Sequence, residues 1–68
     1  MNEETLNLSI RKFLKMVGVK SQHQIEQAIS QALANGKLSG KESLPATMTL
    51  RIDKIGLNIN FDGDVDLD

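Results

Sequence analysis

Apolar and polar positions alternate from Met48 to Ile52, stop at Asp53-Lys54-Ile55-Gly56, and alternate again from Leu57 to Phe61. Period-two alternation on both sides of a short polar break predicts a two-stranded antiparallel hairpin with one apolar face. The register follows. If Ile52 faces Leu57, then Leu50 faces Ile59 and Met48 faces Phe61, and a slip of one residue would lose all three pairs. The opposite face then pairs Arg51 with Asn58, Thr49 with Asn60 and Thr47 with Asp62. Lys54-Ile55 suits a two-residue turn poorly. A longer loop is expected, with Gly56 at positive φ and Ile55 at an exposed tip.

Upstream the period changes. Leu6, Ile10, Phe13, Leu14 and Val17 form a helical stripe. Asn2 is a candidate cap, and Glu3 and Glu4 lie in the first turn, where the dipole favours them. Gly18 reads as a stop, so the first helix is expected over about residues 3–17. Ser21-Gln22-His23-Gln24 has capping-box spacing, and Ile25, Ala28, Ile29, Ala32 and Leu33 repeat the stripe. A second helix is therefore expected over about residues 22–34, ended by Asn35-Gly36. Strands are expected over about residues 46–53 and 57–67, with a bulge or bend at Gly63. The predicted fold is one small α+β domain over residues 1–68, in the order α-α-β-β. Two helices would pack on one face of the hairpin.

With 68 residues, such a chain buries only about 60% of its unfolded surface and is marginal alone. It has no cysteine and one histidine, so disulfides, thiolate metal sites and cysteine nucleophiles are excluded. The opening Met-Asn-Glu-Glu does not read as a secretory leader, and no apolar run approaches the roughly 20 residues needed to span a bilayer. A cytoplasmic protein is expected. Residues 1–41 carry six Lys or Arg against three Glu, and residues 42–68 carry two against six acids, which together make the net charge of −1.

The order of short motifs resembles a family of short bacterial proteins catalogued only as a domain of unknown function. The pieces are Asn2-Glu3-Glu4-Thr5, Ser9-Ile10-Arg11-Lys12-Phe13-Leu14-Lys15 and Val17-Gly18-Val19, followed by Gln24-Ile25-Glu26, Leu33-Ala34-Asn35-Gly36-Lys37-Leu38, Leu44-Pro45-Ala46 and Met48-Thr49-Leu50. The resemblance covers nearly the whole chain. It implies a stand-alone bacterial protein and brings no activity, cofactor or site residue with it.

Candidate chemistry is sparse. Arg11, Lys12, Lys15 and Lys20 form a basic face that could meet phosphates or an acidic partner. The run from Phe13 to Ile29 has the outline of a helix-turn-helix, but Glu26 and a pI near 5.7 point away from nucleic acid. The only aromatics, Phe13 and Phe61, lie on apolar faces, so a base-stacking platform is not expected. Asp62, Asp64, Asp66 and Asp68 alternate along a strand. There carboxylates stand roughly 6–7 Å apart in a row rather than converging on a cation, so no metal site is expected. His23 and Ser21 lack the rest of a nucleophilic triad, and Ser21 is explained as a cap. No catalytic residue, cofactor or enzymatic role is expected. Leu8, Met16 and Val19 lie off the main stripe and, with Ile55, are candidates for protein contacts. The function expected is a non-enzymatic interaction module that binds another protein or itself as a homodimer. A nucleic-acid-associated accessory protein using the basic face is the alternative.

Overall fold

The computed structural model describes residues 1–68 and divides them into two units, Met1–Lys37 and Leu38–Asp68. The first is a single helix, α1 (Glu3–Ala34), of 32 residues. The second is a hairpin of β1 (Ser43–Ile52) and β2 (Leu57–Asp66), joined by a 3-10 turn over Asp53–Ile55.

α1 begins as its sequence demands. Asn2 has extended backbone angles, and its side-chain Oδ1 accepts the Thr5 N–H at 3.1 Å. At the other end Gly36 takes φ +81°. The Lys37 N–H donates to the Ala32 carbonyl at 2.9 Å, and the Gly36 N–H donates to the Leu33 carbonyl at 3.3 Å. These are the two bonds of a Schellman ending.

Between those ends the helix does not stop, which corrects the expected pair of helices. The α-α-β-β order becomes α-β-β, and no pair of helices packs on the hairpin. Gly18 lies inside α1, and so do Ser21 and His23. A break there would leave four N–H and four C=O groups without helical partners. A lone glycine costs only about 1 kcal/mol in a helix, and no proline lies nearby to enforce a stop. Stripe residues also recur across the glycine at a spacing of eleven: Leu6, Val17 and Ala28, then Leu14 and Ile25. That spacing nearly matches whole helical turns. The stripe nevertheless drifts. At about 100° per residue, the set Ile25 to Leu33 is centred roughly 80° around the axis from the set Leu6 to Val17.

The hairpin has the expected register throughout. Ile52 pairs with Leu57, Leu50 with Ile59 and Met48 with Phe61, and the ladder continues to Leu44 with Val65 and Ser43 with Asp66. Gly56 adopts φ +66° and its N–H donates to the Asp53 carbonyl at 3.1 Å. Ile55 is 71% exposed at the tip. Gly63 pairs with Ala46 in unbroken register, so the expected bulge is absent. β1 also starts earlier than expected, at Ser43, with Pro45 inside it opposite Asp64.

The parity of the ladder explains how Pro45 is tolerated. The Leu67 N–H donates to the Glu42 carbonyl at 2.9 Å, so Glu42 and Leu67 are a hydrogen-bonded pair. Alternation then makes Leu44–Val65, Ala46–Gly63, Met48–Phe61, Leu50–Ile59 and Ile52–Leu57 hydrogen-bonded, and the pairs between them not. Pro45 therefore sits where an N–H would point out of the edge, and no ladder bond is lost.

Neither unit has a buried residue. Phe13, Leu14, Met48, Ile52, Ile59 and Phe61 all remain exposed. Within each unit the side chains that best qualify for a core are thus left uncovered.

One glycine pair tests the continuous helix by sign. A Cβ at Gly18 or at Gly36 would meet nothing within 4 Å, but only Gly36 has positive φ. Gly18→Ala should stabilise α1 by about 0.5–1 kcal/mol, while Gly36→Ala should destabilise it by about 1 kcal/mol. Thermal melts followed by circular dichroism at matched concentration read both. A loss at Gly18 would mean that the helix is interrupted there.

Candidate functional site

The contact candidates and the basic face fall largely on one side of α1. At about 100° per residue, Arg11, Lys15 and Lys12 span an arc of roughly 100°, and Lys20 lies roughly 80° beyond it. Leu8 and Val19 fall within that same arc, about 20° apart in direction and roughly 16 Å apart along the axis. They are 67% and 63% exposed. Met16 lies about 60° round from Val19. The structure thus interleaves two apolar side chains with three cations, and Glu4 and Glu26 lie on the same arc. Ile55 belongs to the hairpin unit and marks its tip.

Two shallow grooves lie along the helix. One is lined by Glu4, Thr5, Asn7, Leu8 and Arg11, the other by Gln27, Ser30, Gln31 and Ala34. Neither contains His23, and Ser21 and His23 are neighbours on the helix only as positions two apart.

The polar face of the hairpin is more ordered than its sequence suggested. Non-hydrogen-bonded pairs bring opposing side chains closest, and three such pairs are bonded through their side chains. Ser43 Oγ donates to Asp66 Oδ1 at 2.6 Å, Thr47 Oγ1 to Asp62 Oδ1 at 2.7 Å, and Thr49 Oγ1 to Asn60 Oδ1 at 2.8 Å. Asp64 faces Pro45, which has no hydroxyl to offer. Arg51 turns along its own strand and pairs with Asp53 at 3.0 Å. Two of the three aspartates of β2, Asp62 and Asp66, therefore stand across from hydroxyls.

The residue that the sequence reading missed is Glu42. Its carboxylate accepts the Ser39 N–H at 2.8 Å, the Gly40 N–H at 2.9 Å, the Lys41 N–H at 3.1 Å and the Ser39 hydroxyl at 3.2 Å. Consecutive amides converging on one anion form a nest, and Gly40 at φ +99° allows the backbone to curl. The Ser39 backbone N–H, then Glu42's own and Gly40's amides and the Ser39 hydroxyl, favour the ionised form. They lower its pKa from 4.5 to about 2. A signal existed: Ser39-Gly40-Lys41-Glu42 has capping-box spacing. Here the box closes a loop and no helix follows it.

No helix is long and apolar enough to cross a membrane. The chain belongs to a family of unknown function, DUF6494, whose match covers residues 1–68. No curated protein and no solved structure matches it.

The Glu42 nest has a defined pH signature. A carboxyl with a depressed pKa contributes to folding fully above its ordinary value of 4.5, and that contribution is lost as pH falls through about 2. The amide NMR signals of Ser39, Gly40 and Lys41 should therefore titrate together with a midpoint near 2. In Glu42→Gln that transition should vanish and the three amides should exchange faster. A shared midpoint near 4.5 in the natural chain would show that the nest does not form.

Proposed function

We propose that this protein is a non-enzymatic interaction module that works through protein–protein contacts and associates with itself. The observation that supports this reading is the absence of any buried residue in a chain with apolar faces on both units. Exposed apolar faces of this kind are stable in water only when something covers them. The expected setting is the cytoplasm, and the motif resemblance implies a bacterial protein.

The second reading, a nucleic-acid accessory acting through Arg11, Lys12 and Lys15, has less in its favour. Those cations share their arc with Leu8, Val19, Glu4 and Glu26, and the fourth expected cation, Lys20, lies off it. The two readings separate by salt. Phosphate binding weakens steeply as salt rises, whereas an apolar contact does not.

Sedimentation equilibrium from low to high micromolar concentration, at two salt concentrations, tests the proposal. The expected result is a mass at least twice that of the chain, insensitive to salt and to nuclease. Ile59→Asp, which puts a carboxylate on the apolar face of the hairpin, should weaken association at least about 100-fold, or roughly 3 kcal/mol. A natural chain that stays monomeric at high concentration with its helix intact would overturn self-association.

A further inference from the structure

We propose that two copies join edge to edge through β1, antiparallel about Thr49, into one four-stranded sheet. This rests on the self-association proposed above and names the surface that carries it.

The two free edges of the hairpin are chemically unequal. Ladder parity sends the backbone N–H and C=O of Thr47, Thr49 and Arg51 out of the β1 edge. The same parity sends those of Asn58, Asn60, Asp62, Asp64 and Asp66 out of the β2 edge. Two β2 edges brought together would gather six carboxylates from Asp62, Asp64 and Asp66 on one face. Inward rows of like charge are a known block to edge pairing. The β1 edge has no such block over Thr47 to Leu50. Its one cation, Arg51, is already held by Asp53 at 3.0 Å. Pro45 lacks an outward donor, so it limits pairing on β1 to the stretch from Thr47 to Arg51. A two-fold axis at Thr49 uses that whole stretch: Thr49 meets Thr49, and Thr47 meets Arg51 of the second copy.

The energetic case points the same way. An isolated two-stranded hairpin is marginal in water, and three or more strands with an apolar face are the usual minimum. Joining two hairpins satisfies the six outward amides of the two Thr47–Arg51 edges. It also places Met48 beside Leu50 of the second copy on the apolar side. Two faces that are each too small to form a core then become one continuous face.

Amide hydrogen exchange on the natural chain tests this without any substitution. At a concentration where the chain is associated, the amides of Thr47, Thr49 and Arg51 should exchange at least about tenfold more slowly than those of Asn58, Asn60 and Asp62. They should speed up on dilution. A matched pair of variants gives a second reading. Thr49 and Asn60 share one rung, so proline at either removes the same side-chain bond and one outward amide. Thr49→Pro should abolish association and Asn60→Pro should preserve it. An associated chain whose β1 amides exchange as fast as those of β2, or in which Asn60→Pro is the variant that dissociates, overturns the β1 edge while leaving self-association in place. A natural chain that never associates overturns both.

Discussion

The constraint on which everything else depends is the lack of anything for this chain to bury within its own units. A single α-helix and a single hairpin each have one apolar side, and each needs a second layer to cover it. A 32-residue helix is far longer than the elements of a typical small domain. Helices in proteins draw most of their stability from packing rather than propensity. Here both ends are capped, and yet no side chain of the helix is buried. The hairpin repeats the situation: ten residue pairs in perfect register, held at the turn by Gly56 and along the polar face by three hydroxyl bonds, with Phe61 still 55% exposed. Local order in both units is well specified. What is missing is the surface against which that order becomes worth its conformational entropy.

Within the hairpin one geometric fact sorts the residues. Because the even positions of β1 form the hydrogen-bonded pairs, its odd positions both come close to their partners across the sheet and face out of the edge. The first property explains why Ser43, Thr47 and Thr49 can each reach an acceptor on β2. The second explains why Pro45 is harmless, and why the aspartates both cap the rungs and guard the β2 edge. Hydroxyls on one strand and carboxylates or amides on the other thus form an asymmetric ladder that stabilises the pair while leaving the two edges with opposite tendencies. The charge imbalance along the chain takes on a local meaning here, because three of its acids stand on one strand.

Much of the hairpin was legible because period-two patterning, a loop glycine and side-chain size all pointed one way. The helix was harder to read at one point. Gly18 and Gly36 look alike as symbols, and each follows an apolar stripe. They differ in what lies downstream. Gly36 follows Asn35 and precedes the loop Lys37-Leu38-Ser39-Gly40, whereas Gly18 is followed by Val19 and by residues that keep the eleven-residue recurrence. The Ser21 box was a true pattern in the wrong context: a cap signal acts only where the helix in front of it has ended. The same kind of pattern at Ser39–Glu42 passed unnoticed because no apolar run follows it, although there the carboxylate does close on the amides. Both misreadings treat spacing as sufficient, when it is the surrounding backbone that decides whether a cap forms. Gly63 is the third case. A glycine in a strand can mark a bulge, but opposite Ala46 it simply continues the ladder.

Joining the two expected helices into one changes the functional argument more than the fold class does. Two short helices around a tight link would have placed Lys20 and the polar start of the second helix at a corner, the geometry a DNA-reading motif needs. A continuous helix has no corner. It spreads the same residues along one axis, moves Lys20 away from the other cations, and sets Leu8 and Val19 among Arg11, Lys12 and Lys15. A surface in which apolar and cationic groups alternate, with Glu4 and Glu26 beside them, suits a protein contact with an apolar centre and a charged rim. It is poorly matched to a phosphate backbone, which rewards uninterrupted positive charge. The uncovered apolar faces, the unequal sheet edges and the mixed helix surface therefore favour the same class of partner, a protein surface, and the β1 edge makes a second copy the first one to consider.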